Sequence, residues 1–179
     1  MENLKAVRFV LDEQQMRLSA RAGIERQIEN ILLGREPYHG ADRPEARDWH
    51  YHVEGCMGEQ VTCKYLGIPY HPKGIFRGPD AGPFDVRTSA FKSMKLYKED
   101  KEKHGDKIFW CIYGKNGTYQ VMGYAYCRDV AREEFWGEWP NRKNKFAYFV
   151  PFPELRPPWT IIEEQIFRDY VKQIHARRK

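Results

Sequence analysis

Asp80, Asp85 and Arg87 carry the chain's clearest chemical signal, within Pro79-Asp80-Ala-Gly-Pro-Phe-Asp85-Val-Arg87-Thr88. Ala81, Gly82 and Pro83 predict a turn after Asp80, and Asp85 opens an alternating strand. Such a turn can return Asp80 to the side of Asp85. Asp85 and Arg87, two apart in a strand, project from one face, while Val86 points the other way. Two carboxylates beside a backbone carbonyl make an all-oxygen site suited to Mg²⁺ or Mn²⁺. A metal held there can activate water against a phosphate, and a nearby cation can steady the developing charge. Glu59 is the candidate third carboxylate, because it shares a helix face with Cys56, Gln60 and Cys63 and is expected to point inward. The plainer alternative makes Asp80 and Asp85 turn residues, pairs Arg87 with Asp85 alone, and leaves Glu59 solvated.

Other residue types offer less. His50 and His52 alternate ahead of the Glu59 helix but lack a third ligand at metal spacing. Cys56, Cys63, Cys111 and Cys127 form no CxxC pair and read as small buried thiols. Ser89 and Ser93 have no recognisable base. Gly114-Lys-Asn-Gly117 is a hairpin turn rather than a phosphate loop. Glu99-Asp100-Lys101 repeats an acidic-x-Lys pattern inside a charged turn. Lys92, Lys95, Lys98, Lys101 and Lys103 interleave with Phe91, Met94 and Tyr97, a pattern that fits either a nucleic-acid backbone or a solvated strand face. The tail from His175 to Lys179 fits a phosphate or the end of a helix dipole.

The elements that must position these residues follow from periodicity. Leu11–Leu33 predicts a helix with Met16, Ala20, Ile24, Ile28, Ile31 and Leu32 as its apolar stripe. Residues 35–49 read as a polar loop, and Tyr51–Leu66 as a second helix. Short strands are expected at Gly74–Arg77, Phe84–Ser89 and Met94–Lys98, with a charged turn over Glu99–Lys107. Ile108–Tyr113 and Thr118–Cys127 make a hairpin, Asp129–Trp136 a short helix, Phe146–Val150 a strand and Trp159–Arg177 a final helix. This order predicts an α/β domain of α+β character, with one central mixed β-sheet flanked by helices. Residues 1–50 would supply an N-terminal helix and loop, residues 51–158 the core, and residues 159–179 the C-terminal helix, all in one domain.

The 179 residues match one ordinary domain, and 41% hydrophobic and 15% aromatic content supply a real core. No apolar run reaches the roughly 20 residues of a membrane span. Charges at Glu2, Lys5 and Arg8 exclude a signal-peptide core at the start. A cytoplasmic protein without a membrane partner is therefore expected. The net charge of +5 is uneven. Residues 1–90 hold 12 Lys and Arg against 13 Asp and Glu, whereas residues 91–179 hold 18 against 12. A basic second half fits a polyanion, nucleic acid first.

Gly58-Glu59 in a helix ending at Leu66-Gly67, then Pro79-Asp80, then Asp85-Val-Arg87-Thr88, resembles the PD-(D/E)XK nuclease superfamily. The likeness is closer to its small phage-encoded members, through Met94–Asp100, the strand hairpin near Gly123-Tyr124 and the Val150–Pro157 segment. It covers roughly residues 54–157. The resemblance implies a restriction-endonuclease-like core and a Mg²⁺- or Mn²⁺-dependent DNA nuclease, working in a host cytoplasm if phage-encoded. It implies metal binding by Asp80, Asp85 and Glu59, with a main-chain oxygen from Val86. Arg87 stands where the family usually has lysine. Arginine stabilises charge but does not readily shuttle a proton, so either a hydroxide on the metal suffices or another lysine, such as Lys64, Lys92 or Lys95, takes over. Lys64, Lys92, Lys95 and Lys98 are the expected DNA contacts, and a homodimer is left open. The same departure at Arg87 supports the alternative of an inactive member that binds nucleic acid or serves as a phage accessory protein.

Overall fold

The computed structural model describes residues 6–34, 46–72, 74, 78–139 and 142–177. The chain is α+β, with a mixed sheet and helices. Strands β1 (Val7–Val10), β2 (Asp85–Ser89), β4 (Ile108–Lys115) and β5 (Thr118–Tyr126) make a four-stranded sheet in the order β1-β5-β4-β2. The β2/β4 pair is parallel and the other pairs are antiparallel. Strands β3 (Ser93–Leu96), β6 (Trp136–Trp139) and β7 (Arg142–Pro151) form a second, wholly antiparallel sheet in the order β3-β7-β6. Among the described residues the α-helices are α1 (Glu13–Leu32), α2 (Ala46–Leu66), α3 (Lys98–His104), α4 (Cys127–Val130) and α5 (Gln165–Arg177).

Strand β4 is central because it is apolar on both faces, as a strand covered on both sides must be. Ile108, Trp110 and Ile112 pack with Met57 and Val61 of α2 and Phe167 of α5. Phe109 and Cys111 point the opposite way, onto Met94, Leu96, Tyr148 and Val150 of the second sheet. The expected single sheet with helices on its flanks is thus two sheets, with the second covering the face opposite α2. The split follows from Ala90–Lys92, which leave β2 and carry the chain across to pair with β7 instead of continuing beside β4.

Asp12, which the sequence reading did not single out, caps α1 through its bond to the Gln15 backbone N–H at 2.8 Å. Two local expectations hold. Asn116 and Gly117 take positive φ between β4 and β5, the requirement of a tight hairpin. All four cysteines are buried thiols outside any disulfide.

Others are corrected. The Ile24, Ile28, Ile31 and Leu32 stripe of α1 is exposed, with Leu32 at 80%. The face of α1 that packs on α2 is instead Ser19, Ala22 and Gly23. At this crossing a Cβ on Gly23 would lie 2.6 Å from the Val53 backbone, so close helix approach selects small residues over large apolar ones. Residues 46–49 are helical and begin α2, while the rest of the supposed loop, 35–45, lies outside the described residues. Most of the Gly74–Arg77 strand also lies outside them. The charged turn over Glu99–Lys107 is largely helix α3, in which Asp100 caps by accepting the Tyr97 N–H at 2.8 Å. The helix expected over Asp129–Trp136 divides into α4, a 3-10 turn and the start of β6. The final helix begins only at Gln165, after a 3-10 stretch over Pro158–Glu163. Strands β1 and β6 had no counterpart in the sequence reading. No described helix is long and apolar enough to cross a membrane.

Candidate functional site at the head of strand β2

The turn before β2 closes as its residues require. Ala81 and Phe84 exchange backbone hydrogen bonds at 3.0 and 3.1 Å, and Gly82 between them takes φ of +60°. A side chain is disfavoured in that conformation, and Pro83 then fixes the next φ. The closure folds Asp80 back onto the strand. Its carboxylate accepts the Val86 N–H at 2.8 Å, an atom two positions from the turn. Burial raises the Asp80 carboxyl above its ordinary range; the Val86 N–H opposes this, and the neighbouring Asp85 charge adds to it. The bond places the Asp80 carboxylate at the residue that follows Asp85 in the strand.

Glu59 reaches the same region from α2 but is held by another partner. Its two oxygens accept from both terminal nitrogens of Arg26 on α1, at 2.5 and 2.7 Å. Only 4% of Glu59 is exposed. Burial works to lower the Arg26 guanidinium, but Glu59 outweighs it and holds the group above its usual range, with Cys56 and Asp80 contributing. The α2 helix can set Glu59 here because Gly58 lies directly over β2. A Cβ on Gly58 would fall 1.9 Å from Thr88 Oγ1. The Cys56 thiol on the same helix is pushed up to about 12, first by burial and then by the Glu59 charge, so it is a protonated, inert group.

On the opposite face of β2, Arg87 donates to Asp100 of α3 at 2.8 Å and lies 4.7 Å from the Phe109 ring centre. Burial alone would lower its guanidinium, but Asp100 more than offsets it and the group stays charged. The Arg87 Nε–H is buried without a partner among the described residues. Asp100 thus matters as the anchor of Arg87 and the cap of α3, which the acidic-x-Lys reading of Glu99–Lys101 did not anticipate.

The lysine beside the carboxylates is Lys107. Its Nζ donates to Asp85 Oδ2 at 3.0 Å, and the pair remains partly open, with side-chain exposures of 42% and 16%. Lys107 escaped the sequence reading because its proximity arises from the parallel register. Asp85 stands opposite Phe109, and Lys107 precedes Phe109 by two residues. It therefore shares the Asp85 face at the same end of the sheet. The lysines expected here lie elsewhere. Lys64 Nζ donates to Gln15 at 3.2 Å, Lys98 pairs with Glu102 at 3.7 Å, Lys92 is exposed, and Lys95 sits on the second sheet. His50 is exposed, and His52 meets Asn30 at 3.0 Å.

The donor set bears directly on metal chemistry. Among the described residues no three His, Cys, Asp or Glu side chains gather closely enough to hold an ion. Asp80 and Asp85 nevertheless fit Mg²⁺, which takes one or two protein carboxylates and completes its shell with water and substrate oxygens. Glu59 does not fit in this arrangement, since Arg26 occupies both of its oxygens. The Val86 N–H, rather than its carbonyl, is the main-chain group seen to serve the site. Comparisons with protein-family models, curated proteins and solved structures find no match.

Proposed function

We propose that this chain is a divalent-metal-dependent nuclease acting on DNA, with its reaction centre at the head of β2. The observation that carries the reading is the return of the Asp80 carboxylate onto the head of β2, where it accepts the Val86 N–H at 2.8 Å one residue past Asp85. Asp80 and Asp85 would hold Mg²⁺ or Mn²⁺, and the cation supplies Lewis-acid assistance to phosphodiester hydrolysis. Lys107 is the ammonium group placed on Asp85, where it would take the part that lysine plays in such sites. Arg87 keeps its charge beside Asp85 and steadies negative charge developing on the phosphate. Glu59 acts through Arg26, as a positioning residue rather than a ligand. The basic surplus of residues 91–179 supports a polyanionic substrate. A restriction-endonuclease-like core is part of this reading, with α2 and β2 as its shared elements.

The test is cleavage of plasmid, linear and branched DNA with Mg²⁺ or Mn²⁺. Wild type should cut and Asp85→Ala should not; equal cutting by the two, or none by wild type, ends the assignment.

A second reading has its own observation. The bidentate Arg26–Glu59 pair removes the third carboxylate, and this favours a non-catalytic nucleic-acid-binding protein. Calorimetric titration of Mg²⁺ separates the two. Binding that disappears in Asp80→Ala supports the nuclease, and absence of binding supports the second reading.

A further inference from the structure

Lys95 lies between Met94 and Leu96, both fully buried, so strand alternation turns it to the outer face of the β3-β7-β6 sheet. Its register partner Phe149 lies between buried Tyr148 and Val150 and faces outward for the same reason. Trp139 meets Phe149 edge-on, with ring centres 5.9 Å apart. Lys95 Nζ stands 4.3 Å from the Phe91 ring centre and 4.0 Å from that of Trp139. Phe91 is 57% exposed, and Trp139 and Phe149 are half-buried. Gly137 adds no side chain beside them; a Cβ there would come 3.8 Å from the Phe149 ring. Three rings and an ammonium group thus share one open face.

The charge around that face selects its occupant. Among the described side chains of residues 91–95, 136–139 and 144–149, three are basic, Lys92, Lys95 and Lys145, against the single acid Glu138. The Glu138 carboxylate already accepts the Asn144 N–H. A second copy of the chain would set like charges against each other. A duplex hides its base faces and leaves the rings nothing to stack on. A single strand offers base faces to the rings and phosphates to the lysines together.

We propose that the outer face of β3-β7-β6 binds single-stranded nucleic acid, stacking bases on Phe91, Trp139 and Phe149 and pairing phosphates with Lys92 and Lys95. The inference rests on the reading of the protein as acting on nucleic acid, and names the strand form presented to it. The face follows the far end of β2 from Asp85, since Phe91 comes just after the closing Ser89.

Fluorescence anisotropy of labelled 15-nucleotide oligo-dT and oligo-U, in EDTA, tests it without metal or cleavage. At least one oligonucleotide should bind, and comparison of the two arms shows which sugar is preferred. Phe91→Ala and Trp139→Ala should each weaken Kd about tenfold. A Lys92→Gln/Lys95→Gln double variant should lower the slope of log K against log salt by about 1.4. Phe91 is exposed, so its variant keeps the fold, and circular dichroism checks this. Binding of neither oligonucleotide overturns the inference. So does an unchanged Kd in both aromatic variants, equal competition by a duplex, or a wild-type dimer in sedimentation velocity that Phe91→Ala dissolves. Loss of cleavage in Asp85→Ala with oligonucleotide binding intact is expected and leaves the inference standing. Cleavage by wild type without oligonucleotide binding overturns this inference and spares the nuclease.

Discussion

The two faces of strand β2 carry similar charges in opposite circumstances. Toward α2, Glu59 and Arg26 are locked by two short hydrogen bonds and nearly sealed from water. Toward the second sheet, Asp85 and Lys107 form one bond at 3.0 Å and remain partly open. A sealed bidentate pair fixes the α1–α2 crossing but has no freedom to meet a ligand. A half-open pair contributes less than about 1 kcal/mol to stability, and its members can exchange partners when an anion or cation arrives. The contrast teaches that burial and pairing, rather than residue type, separate the carboxylate that organises the fold from those able to do chemistry.

Glu59→Ala should strike the sealed face hardest. It leaves the Arg26 guanidinium buried without its carboxylate, a loss of about 3–5 kcal/mol readable by urea unfolding. The double variant Arg26→Met/Glu59→Leu should recover much of that loss, because no orphan charge remains. If Glu59→Ala unfolds at the wild-type midpoint, the distinction between the faces collapses.

Lys107→Met addresses the open face. Cleavage should fall by about 100-fold or more, while stability stays within about 1 kcal/mol of wild type. A large stability loss with unchanged cleavage would place Lys107 among the structural ions instead. Its counterpart Lys107→Arg keeps the charge but replaces the compact ammonium with a planar guanidinium, and should remain slow.

Gly58→Ala tests how tightly the faces are held together. Its methyl group would overlap Thr88, so α2 or Thr88 must shift, at a cost of about 1–3 kcal/mol. Adding Thr88→Ala should restore part of that. A fully tolerated alanine would mean that Glu59 is not set by close helix-on-strand contact.

The smallest effect is a pH dependence at Asp80. A carboxyl raised on folding favours the native state fully below its unfolded value, and that contribution is lost as pH rises through the folded value. Asp80→Asn should therefore be more stable than wild type at neutral pH, with the two converging below the ordinary aspartate range. Chemical denaturation across pH 3–8, roughly, covers the window. Adding Mn²⁺ should stabilise wild type and leave Asp80→Asn unmoved; stabilisation of both alike would remove Asp80 from the proposed metal set.

Much of the local structure was legible in the chain, because it depends on neighbours in sequence. The Asn116-Gly117 hairpin and the return of Asp80 over Gly82 each rest on contacts only a few residues long. The inward direction of Glu59 was equally readable from its small neighbours on α2. The α1 stripe misled because hydrophobicity alone cannot say that a crossing 2.6 Å from a backbone admits only small residues.

Sequence by itself determined the α+β class, the basic second half, the four buried thiols and the return of Asp80 onto β2. Only the tertiary structure decided the partners. The parallel β2/β4 register placed Lys107 on Asp85, the α1–α2 crossing gave Glu59 to Arg26, and α3 gave Arg87 to Asp100. The physical reason is separation along the chain. Glu59 and Arg26 are 33 residues apart, and Lys107 and Asp85 are 22 apart. Backbone rules acting over a few residues leave such pairs open, and close packing resolves them.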